Sequence, residues 1–299
     1  MGKASRRRTG PESSRRAARP ERSVAVPFAG RPFEGLVGES DWVAIREILP
    51  AATARLTLRP ERLPEGAVTE VTVATVLPLA WPALHRADGT VFVATQTSGS
   101  SGDASRDLAA ALLAALSAPA GSPVTQLPAV TGDTPRLQDL IVPEAAFEVE
   151  VHEGFDFWVA QEDLDAESSA SLERANATVV PTTRMAALPS AYFVRIGDRS
   201  HIRLILGDDE DRATDALARL HAAGDDALGG PTRLLGAFRA CGLLVPVWDL
   251  DPALEAADYE DELANFGQRY AAALASDRPL SADERRARSG LLSRQVTLR

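Results

Sequence analysis

The chain has 299 residues, 45% of them hydrophobic, and a net charge of −10. Its one cysteine, Cys241, excludes an internal disulfide and any Cys-rich zinc or iron–sulfur centre. Its one lysine, Lys3, removes Walker, kinase and Schiff-base chemistry from everything beyond the N-terminal tail.

Residues 1–30 lack hydrophobic periodicity and are rich in Arg, Ser and Pro, which predicts a disordered basic arm. Lys3, Arg6, Arg7, Arg8, Arg15, Arg16, Arg19 and Arg22, against Glu12 and Glu21, give residues 1–22 a charge of +6. Residues 281–299 carry +3, which leaves −19 on residues 23–280. A first α+β half is expected over 31–117. It opens with a helix from Asp41 to Leu49 behind Ser40, and strands follow at Arg55–Leu58, Thr69–Leu77 and Thr90–Thr95. The Gly/Ser loop Thr97–Gly102 leads into a helix from Asp103 to Ser117, with Leu108, Leu112 and Leu116 on one face. Proline and glycine then mark a linker at 118–136.

The second half, 137–275, begins with a hairpin of Phe147–Val151 and Phe155–Val159 turning at Glu153-Gly154. A helix at Ala166–Asn176, a strand at Thr178–Val180 and a hairpin of Tyr192–Ile196 with Ser200–Leu206 follow. An acidic helix is expected over Asp209–Ala223, and another over Thr232–Cys241 with Gly242 as its stop. Then come a buried strand at Leu243–Trp248, a helix opened by Asp251-Pro252, and a helix over Asp258–Leu274. Ser281 and Glu284 form a capping box for a basic helix in the tail 276–299. The fold class is therefore α+β, two packed halves with antiparallel hairpins and flanking helices. Thr75–Pro78 and Thr178–Pro181 each precede strands, a Gly-Asp pair and a leucine-bearing helix, so an internal duplication is a possible feature.

No run approaches the roughly 18–20 apolar residues of a membrane span. The first residues are too polar for a signal peptide, so a cytoplasmic location is expected. The Gly/Ser loop has neither a Walker lysine nor GxGxxG spacing, and Asp103 puts negative charge where a phosphate would sit, so it is read as a connector. Asp208–Asp211 lacks the alternation of a calcium loop and suits a helix start. His85, His152, His201 and His221 belong to no HExxH pattern. No catalytic residue, metal site or cofactor is read from these motifs.

Residues 31–53, from Arg31-Pro32-Phe33-Glu34 through Trp42-Val43-Ala44 to Ala52-Thr53, resemble the opening of an uncharacterised actinobacterial family, a domain of unknown function. Leu77-Pro78-Leu79-Ala80-Trp81-Pro82 and Leu243-Leu244-Val245-Pro246-Val247-Trp248 are similar too, and the resemblance extends to about residue 275. It implies no catalytic residue. Some relatives carry a translocase-type zinc motif ahead of this domain. Residues 1–30 contain no cysteine, so what the resemblance implies here is only that the N-terminal extension is a docking element.

The expected function is a non-enzymatic binding or adaptor protein whose arm contacts RNA or the ribosome, with a protein partner also open. The alternative is a hydrolase whose Asp/Glu and histidine residues meet only in three dimensions.

Overall fold

The computed structural model describes residues 24–97, 99–159 and 165–293. The architecture is α+β, built on two sheets. The first half supplies α1 (Glu39–Glu47), β1 (Ala52–Thr57), β2 (Glu70–Ala74), β3 (Ala83–His85), β4 (Val91–Ala94), α2 (Ala104–Ser117) and β5 (Ser122–Val124). After the short α3 (Leu137–Leu140), β6 (Val149–Val151) completes a six-stranded sheet ordered β5-β3-β4-β2-β1-β6. Its pairs are antiparallel apart from β2 and β4, which run parallel. Then follow α4 (Ala166–Asn176), β7 (Thr182–Arg184), β8 (Ala191–Ile196), β9 (Arg199–Leu204), α5 (Glu210–Ala223), β10 (Arg233–Ala240), β11 (Leu243–Asp249), α6 (Glu260–Leu274) and α7 (Ala282–Ser293). The second sheet is antiparallel throughout, in the order β10-β11-β9-β8-β7.

Strand alternation decides which core each residue joins. Ala52, Ala54 and Leu56 of β1 face Trp42 and Ile45 of α1 and Leu108 and Leu112 of α2. In the second sheet Phe193, Ile202, Leu204 and Trp248 pack beneath α5 and α6. Their alternates Tyr192, Val194 and Val245 turn the other way and enter the first core. The two sheets thus share one apolar seam. Trp42 stacks on Phe147 with ring centroids 3.8 Å apart and on Phe33 at 5.6 Å. Beside it, the buried carboxylate of Asp41 accepts from Ser190 Oγ (2.8 Å) and from Arg184 Nη2 (3.2 Å). Residues 118–136 carry β5, which pairs with β3. Upstream, Ala29 N donates to Gly102 O, and Val24 O accepts from Gly132 N, both at 2.9 Å.

Helix starts follow the capping rules at several places but not at α1. There Ser40, expected as the N-cap, lies inside Glu39–Glu47, Gly38 takes the cap position, and Ser40 Oγ accepts from Ser190 Oγ (2.9 Å) instead. Asp103 and Asp209 accept from amides of the first turns of α2 and α5. Ser281 and Glu284 exchange both bonds of a capping box at α7, at 3.2 and 2.7 Å.

Four further local expectations are corrected. Thr232–Cys241 is not a helix: Arg233–Ala240 is β10, joined to β11 by a two-residue turn at Cys241 (φ 46°) and Gly242 (φ 80°). Two consecutive positive φ values are the signature of a type I′ hairpin turn, so Gly242 serves the hairpin instead of ending a helix. Phe155–Val159 is not a strand, because Phe155, Phe157 and Trp158 cluster on one another around a 3₁₀ turn while β6 pairs with β1. The strand expected at Thr178–Val180 forms after Pro181, at Thr182–Arg184. Asp251-Pro252 opens only turns and the 3₁₀ segment Ala256–Tyr259 that leads into α6. The two stretches matched as a repeat have different surroundings: β2, before Pro78, pairs parallel with β4, and no strand precedes Pro181 in the equivalent place. Among the described residues no helix is long and apolar enough to cross a membrane.

Candidate binding cleft

The arm residues Lys3, Arg6, Arg7, Arg8, Arg15, Arg16, Arg19 and Arg22 lie outside the described residues. The other motifs of the sequence are occupied by structural work. In the Gly/Ser loop, Ser101 N donates to both carboxylate oxygens of Asp107 (3.2 and 3.1 Å), and Gly102 N donates to Ser100 Oγ (3.2 Å). An anion already sits where a phosphate would bind, and it belongs to the chain. In the acidic run, Asp209 caps α5, Asp208 accepts from Tyr270 Oη (2.9 Å), and Asp211 holds Arg288 (2.6 Å). Among the described residues no group of three or more His, Cys, Asp or Glu is placed to hold a metal ion.

The histidines are dispersed. His85 Nδ1 meets Ala118 O (2.7 Å), His152 Nε2 meets Thr53 Oγ1 (2.8 Å), and His221 Nδ1 meets Asp226 Oδ2 (2.6 Å). His201 Nε2 lies 3.7 Å from Asp249, and burial lowers its pKa. Ser200 is its neighbour in β9 and therefore points to the opposite face of the sheet. The structure brings none of these histidines onto a serine and a carboxylate together, among the described residues.

A cleft of about 730 Å³ opens along the seam instead. One wall is the end of α1 with the segment after β4, and the other is the face of the second sheet turned away from α5 and α6. Gln96 closes α1 by donating to Ile45 O (3.3 Å) and Leu49 O (3.0 Å). Arg46 donates to Thr95 O (2.5 Å) and pairs with Glu47 at 3.1 Å. The Cys241 thiol, at the β10–β11 turn, donates to that same Glu47 carboxylate at 3.6 Å. Burial first, and the Glu47 charge second, push this thiol up to about 12, so it stays protonated and unreactive at neutral pH. The floor is apolar, formed by Val194 and Ile196 of β8 and Phe238 of β10.

Arg203 enters the cleft from β9. Its Nε is buried without a hydrogen-bond partner, and no carboxylate or carbonyl among the described residues receives the rest of its guanidinium. Arg86, Arg106, Arg136 and Arg219 also bury an unbonded Nε, but each places another guanidinium nitrogen on an acceptor. Asp249 stands two residues beyond Val247, the β11 partner of Arg203, and is engaged by His201 and by Arg233, each at 3.7 Å. Burial alone lowers the Arg203 pKa, with no opposing carboxylate to offset it. Arg203 belongs to no motif in the sequence. Its one signal was a charge inside the otherwise apolar run Ile202-Arg203-Leu204-Ile205-Leu206 of a hairpin.

The model of a family described as a family of unknown function (DUF5926) matches residues 32–299. No curated protein and no solved structure matches the chain.

Proposed function

Because the chain belongs to the DUF5926 family, whose function is not known, we propose from its own chemistry that it is a non-catalytic binding protein for a small anion held in the seam cleft. Arg203 carries this reading. A guanidinium drawn partly out of water without a counter-charge is costly, and folded proteins pair such groups or place them against a ligand. The cleft supplies the room, and the ligand supplies the absent acceptor. The experiment is a melting curve of the full chain titrated with acetate, phosphate or sulfate at constant ionic strength. At least one anion should raise the melting temperature with saturation, and Arg203→Met should lose the response. An unchanged response in the variant would end the proposal.

A second contact is supported by the segregation of charge. With +6 on residues 1–22 and −19 on residues 23–280, we infer that the arm engages RNA, ribosomal RNA included, while the acidic body is repelled by it. Lys3 and Arg6, Arg7, Arg8, Arg15, Arg16, Arg19 and Arg22 are the contacting residues. Binding is expected to lack base specificity, with a log–log salt slope approaching roughly −0.7 per phosphate neutralised. Deleting residues 1–22 should abolish RNA retention and leave the melting temperature unchanged. Retention by the truncated chain would assign the contact elsewhere.

A further inference from the structure

Resting on the anion-binding reading of the seam cleft, we propose that its ligand is a hydrophobic monocarboxylate: one carboxylate on Arg203 and an apolar body along the cleft floor.

Charge fixes the number of negative groups. Arg46 and Glu47 neutralise each other at 3.1 Å, and Asp249 is paired with Arg233 at 3.7 Å. Among the described residues that line the cleft, Arg203 is left as the single uncompensated charge. One carboxylate balances it. A second negative charge on the ligand would face Glu47 in the wall and a body carrying −19, with no further free cation among the described lining residues to receive it. Phosphate monoesters and nucleotides are disfavoured on this ground.

The polar groups of the walls point the same way. Thr182 Oγ1 donates to Val180 O (3.0 Å), Thr97 Oγ1 donates to Gly99 O (3.5 Å), and the Gln96 amide is spent on the end of α1. Sugar hydroxyls and the acceptor edges of nucleobases need donors that these side chains have already committed to the backbone. Leu49, Pro50, Val180, Val194, Ile196 and Phe238 remain to meet the ligand, and they match a branched or aromatic hydrocarbon. The planar guanidinium offers two parallel N–H groups to a carboxylate, which adds direction to the charge.

The test uses the full chain and four probes of defined chemistry: 3-phenylpropionate, its carboxamide, phenyl phosphate and inorganic phosphate. Calorimetric titration and the melting temperature are read in wild type, Arg203→Met and Arg203→Lys. The carboxylate should bind with saturation. Phenyl phosphate should bind roughly tenfold more weakly, since like-charge juxtaposition disfavours its second negative charge. The carboxamide should not bind. Arg203→Met should remove the carboxylate response, and Arg203→Lys should retain part of it, because the charge survives and the bidentate fork does not. Tighter, Arg203-dependent binding of either phosphate would overturn the carboxylate assignment and leave the anion reading standing. Equal binding of the carboxamide, or no binding of any anion, would overturn both.

Discussion

Replacing Trp42 by alanine is expected to produce a large loss of stability. The side chain is 1% exposed, lies between Phe147 and Phe33, and joins the apolar cluster shared by both sheets. Large-to-small changes at such a site cost about 3–5 kcal/mol, because transfer energy and cavity energy add. Loss of the aromatic stack contributes about another 0.5–1.5 kcal/mol. At about 2–4 °C per kcal/mol for chains of this order of size, calorimetry should show a drop of roughly 7–26 °C. Trp42→Phe is the informative control. The indole Nε1 is buried without a partner, and an unmet donor costs about 1–3 kcal/mol, so phenylalanine discards that cost while keeping a ring in the stack. It should melt far closer to wild type. A drop of less than about 2 °C for alanine, below what 1 kcal/mol produces, would mean that the seam is not held by this stack.

The second large effect has the opposite sign. Arg203→Met is expected to raise the melting temperature of the ligand-free protein, by removing a partly buried charge and an unmet donor while keeping the aliphatic stem on the cleft floor. An unsatisfied buried polar group costs about 1–3 kcal/mol, so relief of several degrees is expected. Stability gained at the expense of ligand response is the pattern of a residue retained for binding. Arg86→Met provides the comparison. Its guanidinium sits on Asp88 and over the Phe92 ring at 5.2 Å, so its loss should destabilise or leave the melt unchanged. A destabilised Arg203→Met would show that this guanidinium supports the fold and would remove the argument for a ligand.

Local chemistry made much of the fold legible in the sequence. The leucine face Leu108, Leu112 and Leu116 announced α2, and the acidic run Asp208–Asp211 announced α5, because both signals are local; in the fold Asp103 and Asp209 cap these helices. Ser281 and Glu284 did the same for α7. The β8–β9 hairpin was equally local, with alternating apolar residues on both sides of Gly197-Asp198. The run Leu234-Leu235-Gly236-Ala237-Phe238 was not decided in this way. It suits a helix or a strand by propensity, and only pairing with β11 across the Cys241–Gly242 turn made it β10. The parallel pairing of β2 with β4 and the recruitment of β6 to the first sheet depend likewise on contacts that no local window contains.

The cleft divides along the same line. The sequence by itself determined that Arg203 is a charge within an apolar strand, that cysteine and lysine chemistry is confined to Cys241 and Lys3, and that positive charge collects in the arm. Tertiary structure decided that Arg203 has no partner among the described residues, because a partner is set by which distant carboxylates arrive within reach. Glu47 arrives in the same cleft and is taken by Arg46; Asp249 arrives on the adjoining strand and goes to His201 and Arg233. Hydrogen-bond satisfaction is a property of the folded neighbourhood, and a one-dimensional pattern of charge and hydrophobicity carries no record of it.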